Sequence, residues 1–213
     1  MEIITITVGQ LETNSYVIAD FDCMTCVIVD PAGEGKRIID EITREGLTVK
    51  GILITHGHFD HIGAVNQLAT YYEVPVVAHM EESNMMADSQ MNYSVYFLQR
   101  AIVSRADTFV EAGETISFGG ALEFICIEVP GHTANSLCYY IEKERVVFTG
   151  DTLMAGAIGR TDFYDGDADT LLNAIRSELM TLPGETAVYP GHGDDTTIIT
   201  EKTSNPFLLG RFL

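Results

Sequence analysis

The segment Thr55-His56-Gly57-His58-Phe59-Asp60-His61 packs three imidazoles and a carboxylate into the six positions 56–61, straight after the strand-like run Gly51-Ile-Leu-Ile-Thr55. In extended chain the side chains repeat every two residues, so His56 and His58 point the same way. The turn into a following helix brings Asp60 and His61 round to a neighbouring position. One loop can therefore offer two ligands to each of two ions. The chain has six histidines, and three of them are here; an accidental surface cluster does not account for that concentration.

Three further candidates end hydrophobic runs in the same way: Val129-Pro-Gly-His132, Phe148-Thr-Gly-Asp151 and Val188-Tyr-Pro-Gly-His192. A glycine stands directly before each, which lets the backbone bend sharply and approach a site closely. His79, the one histidine outside this set, reads as structural.

Outward from these motifs, the first 30 residues read as β, with predicted strands at Ile3 to Val8, Ser15 to Ala19 and Cys26 to Val29. Glu34 to Glu45 carries Ile38, Ile39 and Ile42 at helical spacing and stops at Gly46. Ile62 to Tyr72 is predicted helical and Val74 to Ala78 extended. The stretch 80–107 is predicted helical, with Met80, Met85, Met86 and Met91 as gap-filling side chains. Short strands are expected at Glu114 to Phe118, Leu122 to Val129, Leu137 to Ile141 and Arg145 to Phe148. A helix over Asp169 to Leu179 and a strand at Thr186 to Tyr189 follow. No repeat or linker interrupts the chain, so one domain, 1–213, is expected. Two β-rich halves with helices between them suggest two packed sheets covered on the outside by helices.

Composition narrows the function classes. Twelve Lys and Arg against 31 Asp and Glu give a formal charge of −19, which repels a phosphate backbone, so nucleic acid is not an expected partner. No apolar run approaches the roughly 18 residues of a membrane span, and Met1-Glu2 opens no basic secretory leader. No membrane partner and a cytoplasmic location are expected. Four dispersed cysteines do not make a disulfide scaffold. Cys23-Met-Thr-Cys26 has metal-ligand spacing but no partner pair; core packing is the preferred reading, a redox or metal role the other.

The ordered series of histidines and aspartates resembles that of the metallo-β-lactamase superfamily, whose HxHxDH, His, Asp, His pattern is matched without a gap over nearly the whole chain. The resemblance implies an α+β fold, an αββα four-layer sandwich of two mixed sheets with helices on the outer faces. It implies that His56, His58 and His132 bind one metal, that Asp60, His61 and His192 bind a second, and that Asp151 bridges both. Asp60 and Asp151 are then the catalytic carboxylates. Three nitrogens and a shared oxygen suit zinc, with iron or manganese as alternatives, in a site for two divalent ions.

Within the superfamily, Gly159-Arg-Thr-Asp-Phe163 and the ending Asn205-Pro-Phe-Leu208 are similar to the short glyoxalase II-like hydrolases of the hydroxyacylglutathione hydrolase family. The reaction implied is hydrolysis of a small-molecule thioester by a hydroxide shared between the metals, whose pKa as water is lowered to about 7. Arg160 is the candidate for gripping an anionic group on the substrate, against a structural ion pair with Asp162 or Asp165. The rival enzyme reading is a mononuclear iron persulfide dioxygenase on the same fold, which Tyr189-Pro-Gly-His192-Gly193 argues against. A β-lactamase proper is disfavoured by Asp151 and His61 as ligands. Outside enzymes, the remaining reading is a metal-stabilised binding protein. Asn135, where relatives carry glycine, is expected to tolerate a left-handed turn.

Overall fold

The branched residues of β1 (Glu2–Val8), with buried positions alternating at its end, pair with β2 (Thr13–Asp20), buried along its whole length, in an antiparallel hairpin registered from Glu2 opposite Ala19 to Val8 opposite Thr13. β3 (Thr25–Val29) adds antiparallel to β2, and from there the sheet turns parallel through β4 (Thr48–Leu53), β5 (Val76–Ala78) and β6 (Thr108–Phe109). The strand order is β1-β2-β3-β4-β5-β6. Parallel neighbours need crossovers, and helices supply them. α1 (Gly35–Glu45) joins β3 to β4, buries Ile38 and Ile42, and stops at Gly46, whose φ of 69° lets its N–H bond back to the last carbonyls.

The computed structural model describes residues 1–211. These residues group into two units, and everything above belongs to the first, Met1–Val110 with Ile116–Glu123. In that unit the helix expected over Ile62 to Tyr72 is instead two pieces, α2 (Phe59–Ile62) and α3 (Val65–Tyr72). The break falls at Gly63, where any side chain would strike the Ala32 carbonyl.

The helix expected over 80–107 is corrected further, to α4 (Met80–Ala87) and α5 (Ser94–Leu98). Residues 99–107 are not helical because short polar side chains capture the backbone first. Asn92 Nδ2 donates to the Ile102 carbonyl at 2.7 Å, and the Ile102 N–H donates to Ser94 Oγ at 3.0 Å. Met85 and Met86 pack in the interior, whereas Met80 is exposed.

The second unit comprises Glu111–Thr115 and the chain from Phe124 onward. The second sheet runs through β7 (Thr115–Ser117), β8 (Glu123–Glu128), β9 (Leu137–Ile141) and β10 (Val146–Gly150). A small hairpin of β11 (Leu153–Met154) and β12 (Ala157–Ile158) follows, then β13 (Ala187–Pro190) and β14 (Thr196–Thr197) return to the sheet, whose order is β14-β13-β10-β9-β8-β7. β10 pairs parallel with β13 and antiparallel with β9. α6 (Ala168–Ser177) is capped by Asp167, which accepts from the Thr170 N–H at 2.7 Å, and buries Leu171, Leu172 and Ile175. α7 (Ile198–Ser204), for which the sequence pattern made no case, buries little beyond Ile198 and Glu201.

Each unit has its own apolar core. Ile28, Ile52, Ile54 and Leu68 lie in the first, and Val129, Val147, Leu171 and Val188 in the second. The protein is thus α+β with two large mixed sheets.

Candidate metal centre

In the first unit, β3 and β4 run parallel with Val29 opposite Leu53, so the residues leaving their carboxyl ends emerge side by side. Asp30 leaves β3 and Thr55-His56 leaves β4. Asp30 is buried and accepts three hydrogen bonds: at Oδ1 from the Thr55 N–H (2.8 Å), and at Oδ2 from the Thr55 hydroxyl (2.6 Å) and from His61 Nδ1 (2.9 Å). The Thr55 hydroxyl, donating to Asp30, is free to accept from His56 Nδ1 at 3.1 Å. One carboxylate oxygen therefore orients His61 directly and His56 through a hydroxyl. With both Nδ1 atoms so engaged, each ring presents Nε2, the usual tautomeric arrangement of a metal-ligating histidine. Asp30 holds this place at a left-handed φ of 46°, rare for a non-glycine residue and typical of a functional position.

The rings of His56 and His58 meet edge to face at 4.8 Å between centroids, and His56 and His61 lie 4.1 Å apart. His58 precedes α2, and Asp60 and His61 occupy that helix's single turn, whereas the sequence pattern places them in the turn leading into a helix from Ile62. His61 Nε2 lies 3.8 Å from Asp60 Oδ2, and Asp60 also accepts from the Thr13 hydroxyl at 3.4 Å. Gly57 is required here because a Cβ would meet the Glu82 carbonyl at 2.7 Å and Met85 Cβ at 2.8 Å. Its N–H donates to the buried Glu82 carboxylate at 2.7 Å.

In the second unit, the parallel pair β10 and β13 ends with Gly150 opposite Pro190, and the Gly191 N–H bonds to the Gly150 carbonyl at 2.7 Å. Asp151 and His192 consequently leave neighbouring strand ends. Asp151 Oδ2 stands 3.5 Å from His192 Nε2 and 3.7 Å from His132 Nε2. His132 Nδ1 is held by the Arg160 carbonyl at 2.8 Å, so this ring too presents Nε2. Gly159 permits that approach: a Cβ there would collide with the Asp151 carbonyl and lie 2.9 Å from His132 Nδ1. Of the three strand-end glycines that precede His132, Asp151 and His192, Gly131 (φ 125°) and Gly150 (φ 49°) use conformations that side chains resist, and Gly191 does not.

These separations fit a metal. Donor atoms about 2.0–2.2 Å from a tetrahedral ion stand roughly 3.4 Å from one another, and the imidazole–carboxylate separations of 3.5–3.8 Å are close to that. They are too long for N–H···O hydrogen bonds. Neutral imidazole nitrogen and carboxylate oxygen are the donor set of zinc, iron and manganese.

The Arg160 guanidinium is gripped by Asp162, Nε to Oδ1 and Nη2 to Oδ2, both at 2.8 Å, and lies over the Phe163 ring at 4.5 Å. The hydrogen bonds from Arg160, with its charge adding to them, hold the Asp162 carboxyl down to about 2. His79 caps α4, its Nδ1 accepting from the Glu81 N–H at 3.3 Å. Cys26 is buried in β3 with its thiol pushed up to about 12 by desolvation, whereas Cys23 is exposed, so only one of the pair packs in the core. Asn135 keeps a negative φ; its side chain donates to Glu128 at 3.3 Å, and the left-handed turn expected there does not occur. Asp30 and Glu82 were not singled out by sequence. Asp30 does end a hydrophobic run as His132, Asp151 and His192 do, but it lacks their preceding glycine.

The chain matches the metallo-beta-lactamase superfamily over residues 8–192. It is 39% identical to the "Probable metallo-hydrolase YqgX" of Bacillus subtilis, covering 95% of both chains. It is 36% identical to the "Hydroxyacylglutathione hydrolase GloC" of Haemophilus influenzae, covering 98% of both. Among solved structures, the BLEG-1 B3 metallo-beta-lactamase is similar with a TM-score of 0.93 at 38% identity, over 97% of this chain and 99% of that one. TTHA1623, solved in a di-iron-bound form, is similar with a TM-score of 0.85 at 31% identity, over 96% and 100%.

Proposed function

The chain belongs to the metallo-beta-lactamase superfamily, and from that premise we propose that it is a dinuclear metal-dependent hydrolase of small-molecule thioesters, S-2-hydroxyacyl derivatives of a small thiol. The family and the two His/Asp groups imply divalent metals. In the proposed assignment, His56, His58 and His132 hold one ion, Asp60, His61 and His192 the other, and Asp151 is common to both. The observation that carries the reading is the Asp151 carboxylate, one oxygen of which lies within 3.7 Å of two imidazole nitrogens assigned to different ions.

When bound, two divalent ions supply Lewis acidity toward a carbonyl and an activated water. The protein's own contribution is orientation. Asp30 and the Arg160 carbonyl fix the tautomers of His61 and His132, and Asp60 and Asp151 bring negative charge that offsets the cations. A thiolate of intrinsic pKa near 8.5 leaves without a strong general acid, so no further proton donor is needed. Support for a thioester comes from the likeness to hydroxyacylglutathione hydrolase, and support for two ions from the di-iron relative. Zinc suits the donor set, with iron or manganese as alternatives. Asp162 occupies the Nε–Nη2 edge of Arg160, so a two-pronged contact from that edge to substrate requires its release.

The likeness to a B3 metallo-beta-lactamase favours a second reading, β-lactam hydrolysis. Zinc-loaded protein kept anaerobic and supplied with an S-lactoyl thioester is expected to release free thiol and to leave a chromogenic cephalosporin intact. Cephalosporin cleavage without thiol release would establish the second reading. Iron-dependent oxygen uptake on a thiol persulfide, with no thioester cleavage by the zinc form, would establish a dioxygenase instead. Among the described residues no helix is long and apolar enough to cross a membrane, and we place the protein in the cytoplasm, where its free cysteines would stay reduced.

A further inference from the structure

Residues 92–102 form a loop closed at its base. Asn92 Nδ2 donates to the Ile102 carbonyl at 2.7 Å, and the Ile102 N–H donates to Ser94 Oγ at 3.0 Å. The same base is fastened to the ligand loop, because the Asn92 carbonyl accepts from the Phe59 N–H at 3.0 Å and the Tyr93 ring meets His58 edge-on at 5.5 Å. Two non-glycine residues in left-handed backbone, Tyr93 (φ 65°) and Gln99 (φ 54°), bracket α5 and turn its end back. The tip so held presents Phe97, Leu98 and Arg100.

These tip residues line a cavity of about 300 Å³ together with Phe59 and Asp60. Phe59 and Phe97 stack at 5.5 Å with an interplanar angle of 23°. One wall is thus aromatic and aliphatic, and a proposed metal ligand opens onto the same space. Arg100 is exposed and has no hydrogen-bond or ion-pair partner among the described residues, in a chain of formal charge −19. Of the two acids that share the cavity, Asp60 is a proposed metal ligand, and Glu34 is already engaged by the Gly9 N–H at 3.1 Å and by Arg37 at 3.5 Å. The contrast with Arg160 is direct: the Nε–Nη2 edge of that guanidinium is taken by Asp162, and no edge of Arg100 is so taken among the described residues.

We propose that this cavity is the substrate subsite and that Arg100 is its specificity-determining residue, taking a thioester whose non-reacting end is an apolar segment terminating in a carboxylate. The proposal rests on the thioester reading and names its substrate class. An unfilled guanidinium fork at the end of an apolar wall matches a planar anion on a hydrophobic stem, and its geometry is bidentate. The contact lies away from the scissile carbonyl, so it stabilises ground and transition states alike and is felt in KM.

Arg100→Gln is compared with wild type on three thioesters of equal length, with the carboxylate on the acyl half, on the thiol half, or replaced by a primary amide. KM for one carboxylated substrate is expected to rise roughly 10- to 100-fold with kcat little changed, the amide being unaffected. The arm that responds identifies which half of the substrate the cavity takes, and Arg100→Lys should recover only part of the loss. A readout independent of turnover accompanies it: calorimetric binding of 3-phenylpropanesulfonate, an anion with little affinity for zinc, against neutral 3-phenylpropanol. The sulfonate is expected to bind wild type at least tenfold more tightly than Arg100→Gln, and the alcohol to bind both equally. Equal sulfonate affinity in the two proteins, or equal KM changes on all three substrates, would overturn the proposal. If the zinc protein cleaves no thioester at all, the functional reading fails, and the sulfonate measurement still decides the subsite.

Discussion

One oxygen of Asp30 serves two histidines, so its replacement acts on both rings at once. Asp30→Asn is expected to lower zinc affinity roughly 10- to 100-fold, the usual cost of losing a group that orients a ligand, measured by competition with a chromophoric chelator. Unchanged affinity would mean that His61 and His56 hold their orientation without it. Asp151→Ala should lose more metal and more turnover than His61→Ala, since the proposed bridge serves both ions; equal mild losses would remove the bridge. The seven proposed ligands stand out in the sequence because imidazole clusters and glycine-flanked strand ends are rare patterns with a chemical reason. Asp30 was not, because an aspartate between a strand and Pro31 looks like any turn, and its partners lie 25 and 31 residues away in the chain. At the Arg160–Asp162 pair the folded carboxyl is depressed to about 2, so the pairing contributes above the ordinary carboxylate value of 3.8 and is lost only as pH falls through about 2. The carbon-13 shift of the Asp162 carboxyl should therefore stay flat from neutral pH to below 3.8 in wild type and titrate near the ordinary value in Arg160→Ala. A normal midpoint in wild type would show that the fork does not form in solution.

At the scale of elements, Gly131 joins β8 to the His132 turn at φ 125°, and a Cβ there would run into the Leu171 backbone of α6. Gly131→Ala should cost roughly 1–3 kcal/mol, read as a lower urea midpoint at unchanged slope. A neutral substitution would mean that α6 can shift to make room. Strands and helices with a clear period were legible, β9 residue for residue. α1 was also legible, through Ile38, Ile42 and its closing glycine. Residues 99–107 were not, because the bonds that divert the chain come from Asn92 and Ser94, and a hydrophobic period carries no trace of them. The two-residue β11 and β12 and the short α7 expose too little pattern to be seen.

For the molecule as a whole, each unit carries an apolar core that includes none of the proposed ligands. Exhaustive chelation should accordingly abolish turnover while far-ultraviolet circular dichroism stays near its starting value, and zinc should restore activity. Cooperative unfolding on chelation would instead mark the metal as structural. Charge and composition spoke plainly at this scale, since a −19 surface is a global property needing no geometry. The closed base of the 92–102 loop has a further consequence, for how such a protein diverges. Changes at Tyr96, Phe97, Leu98 and Arg100 leave the bonds between Asn92, Ser94 and Ile102 in place. The His56–His61 segment meets this tip through the stacking of Phe97 on Phe59, so Phe97 is the position where such changes reach it. If the tip is the proposed subsite, it is a cassette: drift or directed evolution at Tyr96, Leu98 and Arg100 can rewrite what the cavity admits while the proposed metal ligands are inherited unchanged.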